Sequence, residues 1–295
     1  MKLTNKFNLP QTFMNVLNRN SYTKGKAHLS ATELISSPRI VQLRKTNWED
    51  LEEDVSDKIW AIFGTAIHSV LELGKDDNHI IEQRIHATVD GWDISGAVDL
   101  QKTEEDGIVI SDYKTTGAWA VMNEKSDWEQ QLNIYAWLIE KVKKTPVKKV
   151  EIIAIIRDWN RRDAKIKEGY PEAPVKVIDV QLWPFELRED FIKTRVKLHS
   201  DAQFATEVGG DLPLCTPSEM WEKETVWALR KIGNVRAKAL FATKEDADKA
   251  LEEAGKGFEI EVRPGERTRC ENFCQVREFC KQFIEYKKDQ YAKEA

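Results

Sequence analysis

The chain has 295 residues, 41% hydrophobic and 32% charged, enough for one large domain or two modest ones with a buried core. A net charge of -5 excludes a broadly cationic protein that coats nucleic acid, so any DNA-binding surface must be a local basic groove. No apolar run, including that around Ile152 to Ile156, approaches the ~20 residues of a membrane helix. The opening MKLTNKFNLPQTF lacks the apolar stretch and cleavage site of a secretory signal. A reducing intracellular compartment is expected, with no membrane contact and with cysteines as thiolates rather than disulfides.

From Ser30, SATELISSPRIVQLRK reads as helical. Ile59 to Leu73 reads as a core helix, with Ile62, Ala66, Ile67, Val70 and Leu71 on one broad apolar face. Three β-patterned segments follow, about Ile80 to Val89, Trp92 to Gln101 and Ile108 to Lys114. The turn signals Asp90-Gly91 and Asp106-Gly107 join them into a meander. A second helix is predicted from Ser126, where Ser126 and Glu129 make a capping box, to about Lys143. Val150 to Ile156 is almost purely apolar and suits a buried central strand. After Arg157 a polar, basic stretch leads to a strand over Val175 to Leu182 and a long helix around Pro184 to Ala205. Gly209-Gly210 and Pro213 place the boundary between a domain over 1–208 and a smaller module over 209–295. In that module a hairpin around Gly233-Asn234, a charged helix from Thr243 to Ala254 and a strand from Phe258 to Val262 precede three cysteines.

Asp112-Tyr113-Lys114 sits at the end of the third strand, where alternation puts Asp112 and Lys114 on the face of Ile108 and Ile110. Asp99 ends the preceding strand, and a tight hairpin can bring it beside Asp112. Two converging carboxylates suit a hard divalent cation such as Mg2+. Lys114 can then orient water and balance charge developing on phosphorus. A D-x-K tripeptide alone also fits a strand-end salt bridge. Gly64-x-x-x-His68 upstream and Gln131-x-x-x-Tyr135 downstream add polar groups on two helices, although His68 and Tyr135 taken singly also fit core positions.

With these four motifs in order, G-x-x-x-H, G-x-x-D, D-x-K and Q-x-x-x-Y, the segment from Ser30 to Asp158 resembles the RecB family of PD-(D/E)XK nucleases. The resemblance implies an α/β restriction-endonuclease-like core, a mixed central sheet flanked by helices, with a small α+β C-terminal module. It implies metal ligation by His68, Asp99, Asp112 and the Tyr113 carbonyl, for Mg2+ or Mn2+. Lys114 would be the catalytic lysine, with Gln131 and Tyr135 positioning the DNA backbone or the metal site. Gln130 could replace Gln131 if the helix phase is off by one.

All four cysteines lie late in the chain: Cys215, then Cys270, Cys274 and Cys280. Four thiolates can close a metal site, and the x3 and x5 spacings depart from the C-x2-C pairs usual for zinc. The set resembles the iron-sulfur modules of AddB-type and CRISPR-associated adaptation nucleases and of phage exonucleases, which implies a 4Fe-4S cluster. Cys215 follows the core, whereas those relatives usually take the first ligand from before it. Zinc, or unliganded buried thiols, are the alternatives.

Lys141 to Lys149, Arg157 to Lys167 and Val226 to Leu240 are locally basic and could line a DNA path or form solvated faces. Trp119 could stack on an unpaired base or fill the core. The expected function is metal-dependent hydrolysis of DNA. The expected substrate is single-stranded or carries a free end, cut exonucleolytically during recombination, repair or replication, in a phage-type setting. The alternatives are a non-catalytic DNA-binding module and a structural subunit working with recombination or replication proteins. No G-x-x-x-x-G-K-[ST] loop occurs, so unwinding would have to come from a partner.

Overall fold

A two-residue Asp-Gly turn between alternating strands dictates a tight hairpin. In the computed structural model, Asp90 and Gly91 take φ of 48° and 78° and join the first two long strands. The model describes residues 1–19, 24–74, 76–123 and 126–294, of which 291–294 by backbone alone. The strands of the first part are β1 (Leu29–Ser30), β2 (His79–Val89), β3 (Trp92–Glu104), β4 (Gly107–Thr116), β5 (Val147–Ile156) and β6 (Val175–Val180). They form one six-stranded mixed sheet. β2, β3 and β4 are the expected antiparallel meander, β5 runs parallel to β4, and β6 is antiparallel to β5. β1 adds a short parallel pairing to β3 at Ile94 and Ser95. The second strand continues to Glu104, so Asp99 lies inside it rather than at its end.

The principal helices here are α1 (Ala31–Ile35), α2 (Ile59–Leu71), α3 (Ser126–Lys143) and α4 (Phe185–Glu207). SATELISSPRIVQLRK is two helices rather than one. Ser30 caps α1 with both halves of a capping box, and Pro38 opens a separate helix over Pro38–Thr46. α3 is the core helix. Every residue from Gln131 to Ile139 is buried, because the helix packs on β2, β3, β4 and β5 and is also met by α1 and α4. Each large aliphatic buried there stabilises the fold by about 1.5–3 kcal/mol.

The core role expected for Ile59 to Leu73 does not hold. α2 buries none of its residues, and Trp60, Phe63, Val70 and Leu71 are exposed. The helix packs on β4 along one narrow side, and its apolar pattern is wider than that contact. The basic stretch after Arg157 also contains a short helix, Arg161–Ile166, capped by the Asn160 side chain.

The chain divides into two compact units, Met1–Pro213 and Leu214–Ala295. In the second unit β7 (Val226–Lys231), β8 (Ala237–Phe241) and β9 (Phe258–Arg263) form an antiparallel sheet in the order β8-β7-β9. Between them runs α5 (Lys244–Ala254), whose first turn is capped by Thr243. Among the described residues no helix is long and apolar enough to cross a membrane.

Candidate active site

The β3–β4 ladder runs from Glu104 paired with Gly107 to Leu100 paired with Ser111. One step further, Asp99 and Asp112 face each other where the pairing ends. There Tyr113 N donates to Asp99 Oδ2 at 2.8 Å instead of to a strand carbonyl. Alternation carries Asp112 to the buried face of Ile108 and Ile110, and it is 1% exposed. A carboxylate this deep must be compensated.

The compensation comes from Lys114 and α3. Lys114 Nζ stands 2.6 Å from Asp112 Oδ2, outside the direction a hydrogen bond needs, so this oxygen has a charge beside it but no directed donor. Lys114 Nζ also donates to Gln131 Oε1 at 3.0 Å. An ammonium only donates, which fixes the amide orientation and leaves Gln131 Nε2 facing Asp112 Oδ1 (3.4 Å) and Tyr135 OH (2.7 Å). Gln131, not Gln130, is thus the glutamine of the network. α3 can approach this closely because β3 has a glycine beneath it. A Cβ on Gly96 would lie 2.8 Å from Leu138 Cδ1 and from the Tyr135 ring.

α2 supplies the histidine. It crosses β4 tightly at Gly64, where a Cβ would meet Thr115 Oγ1 at 3.2 Å, and one turn on His68 Nε2 donates to the Tyr113 carbonyl at 3.1 Å. His68 Nδ1 lies 3.4 Å from Glu82 Oε1 and 3.7 Å from Asp99 Oδ1. The ligand atoms of His68, Glu82 and Asp99 all fall within 4.8 Å of one another. Asp112 is not one of this group; its carboxylate faces Lys114 and Gln131 and acts on Asp99 through its charge.

Glu82 is the residue that sequence reading missed. It has φ of 49° inside a strand, a conformation a non-glycine residue rarely adopts. Its place was nonetheless legible. Counting back from a two-residue turn at Asp90-Gly91 sets Glu82 directly across from Asp99, in the register that the flanking pairs Ile81–Leu100 and Gln83–Val98 adopt.

Burial, and then the Asp112 charge beside it, pushes Asp99 up to about 7. The hydrogen bond to Glu82, opposed by burial and helped by Asp99, raises His68 to about 9. The proton that Asp99 takes up more readily here is one a cation would displace. Several carboxylate oxygens, a backbone carbonyl and one imidazole make a donor set that fits a hard divalent cation.

The second unit gathers the four thiols. Burial, then the charges of Cys274, Cys215 and Cys280 in turn, push Cys270 up to about 11. Arg267 opposes the rise at Cys270, and Arg269 and Arg277 do so at Cys274. Four sulfur donors with cations around them fit a thiolate-bound metal centre.

The basic stretches are less open than their sequences imply. Lys141 pairs with Glu189, Lys148 with Glu104 and Asp106, Lys149 with Glu151 and Asp179, and Arg230 with Glu259. Trp119 lies on the surface, 66% exposed, rather than in the core.

A mixed sheet flanked by helices, with Asp99, Asp112 and Lys114 at adjacent strand positions, defines a restriction-endonuclease-like protein. A family model described as the PD-(D/E)XK nuclease superfamily matches residues 75–281, and the chain belongs to that superfamily of nucleases. No curated protein matches it in sequence. Among solved structures it is similar to the crystal structure of SSO0001, at 17% identity and a TM-score of 0.44, over 64% of this chain and 82% of that one.

Proposed function

We propose that the chain is a Mg2+- or Mn2+-dependent deoxyribonuclease of the RecB-like branch, an exonuclease acting on single-stranded or end-bearing DNA. The observation that carries this reading is the convergence of Asp99, Asp112 and Lys114 at the end of the β3–β4 ladder, where the Lys114 ammonium is 2.6 Å from Asp112. His68, Glu82, Asp99, Asp112 and the Tyr113 carbonyl would hold the cation. The cation supplies Lewis-acid polarisation of the phosphoryl oxygen and makes the attacking water more acidic. Gln131 holds Lys114 and Asp112 in place, with Tyr135 behind it. Lys114 donates to a non-bridging phosphate oxygen as charge builds there. Water forms the new P–O bond and the bond to the departing sugar oxygen breaks.

Cys215, Cys270, Cys274 and Cys280 would hold a 4Fe-4S cluster, a reading supported by their placement together in the second unit and by spacings unlike paired zinc knuckles. Processing of DNA ends in recombination, repair or replication fits this chemistry, alongside a partner that unwinds duplex, in a phage-type system. Linear and covalently closed circular single strands of one sequence, incubated with Mn2+ or EDTA, test the reading. Loss of the linear strand alone, and only with Mn2+, is expected. Rapid loss of the circle would make the protein an endonuclease.

A further inference from the structure

α2 presents an aromatic surface that the hydrolytic site does not use. Trp60 and Phe63 are 55% and 40% exposed and meet edge to face, ring centroids 6.3 Å apart at 90°. The Arg157 guanidinium lies over the Trp60 ring, 4.4 Å from its centroid. Arg157 is exposed and forms no ion pair among the described residues, unlike Lys141, Lys148 and Lys149.

Register ties this pair to the candidate active site. His68 meets the Tyr113 carbonyl and Gly64 faces Thr115. Trp60 stands over Arg157, whose N–H donates to Thr116 O at 2.9 Å. Four helical residues rise about 6 Å and two strand residues about 6.6 Å, so α2 and β4 stay in step. Trp60 therefore sits about 12 Å along the helix from His68, within a few nucleotides of a phosphate held by the acids.

We propose that Trp60, Phe63 and Arg157 form a stacking platform for an unpaired nucleobase of the substrate strand, a reading that rests on the nuclease assignment above. With one indole face under Arg157, the exposed remainder of Trp60 and Phe63 offers ring surface to any base, and the guanidinium takes the adjoining phosphate. Bases inside a duplex are stacked on one another and cannot use it. The platform thus selects single-stranded DNA next to the hydrolytic centre, without reading sequence.

The test is fluorescence anisotropy in EDTA, where cleavage is off, with a labelled oligothymidylate and an abasic strand of equal length. Trp60→Ala weakens oligothymidylate binding by about 5- to 150-fold, while Trp60→Phe stays within a few-fold of the parent. Both variants bind the abasic strand as the parent does. Parental affinity of Trp60→Ala for oligothymidylate, or equal weakening on both strands, overturns the platform. A parallel Mn2+ cleavage assay of the parent separates the two readings. If the parent cleaves and Trp60→Ala binds normally, only the platform falls. If binding depends on Trp60 but nothing is cut, the platform stands and the hydrolase reading falls.

Discussion

Asp112 carries the sharpest conflict between stability and chemistry. Its carboxylate is buried to 1% exposure beside Asp99, whose proton affinity that charge helps raise. Asp112→Asn relieves the repulsion with Asp99 but gives up the Lys114 pair, so in EDTA the variant should melt near the parent temperature. Its cleavage rate should nonetheless fall by about 10²- to 10³-fold, the scale of losing one charge-stabilising group. Thermal melts paired with single-turnover cleavage check both halves. A cold-melting variant would mean that Asp112 serves the fold instead. Glu82 gives a second prediction, because its carboxylate stands 3.4 Å from His68 Nδ1 within the donor cluster. Glu82→Gln should weaken Mn2+ binding about 10- to 100-fold, whether it acts as ligand or as the group orienting His68. Calorimetric titration of the metal-free protein reads this directly, and unchanged affinity would remove Glu82 from the centre.

Among the elements, α3 and α2 show where periodicity informs and where it misleads. Both carry apolar residues at helical spacing. Only α3 is covered on all sides, since nothing in its sequence distinguishes a helix met by β2, β3, β4, β5, α1 and α4 from one lying along a single strand. The strands were legible because Asp90-Gly91 and Asp106-Gly107 punctuate strict alternation. The ends of β3 and β5 were not, because ladder pairing extends them past the apolar pattern. Asp99, Asp112, Lys114, Gln131 and Tyr135 were legible as motifs, and their convergence followed from one hairpin and one close crossing at Gly96. The φ of Glu82 left no mark in the sequence. α4 adds a pH prediction. His199 is fully buried on it and donates from Nε2 to Leu34 O at 3.1 Å, leaving Nδ1 without a partner. Burial, with Arg195 and Lys45 nearby, holds it down at about 4, against about 6.5 in the unfolded chain. Between those values the unfolded state binds the extra proton, so this contribution is intact above pH 6.5 and is lost as pH falls toward 4. Urea unfolding should show the parent losing about 2 kcal/mol relative to His199→Gln between pH 7.5 and 5, a difference that cancels the opposite titration of Asp99 and His68. An identical decline in that variant would assign it to other groups.

For the molecule as a whole, the net charge of -5 goes with local pairing of basic residues. Three of the five lysines over 141–149 face carboxylates, whereas Arg157 on Trp60 forms no ion pair among the described residues. The cluster proposed for the second unit has its own test. Anaerobically purified protein should be brown and contain iron and acid-labile sulfide, both lost in Cys270→Ser. Stoichiometric zinc in colourless protein would replace iron-sulfur while keeping the four-thiolate centre. Metal-dependent DNA hydrolysis through Asp99, Asp112 and Lys114, as proposed, is read from the cleavage of end-labelled single-stranded DNA by the parent protein and by folded Lys114→Ala, each with Mn2+ and with EDTA. Cleavage by the parent in Mn2+ alone, reduced at least about 10²-fold in Lys114→Ala, is the predicted result. Equal cleavage by Lys114→Ala, or none by the parent with metal, would contradict it.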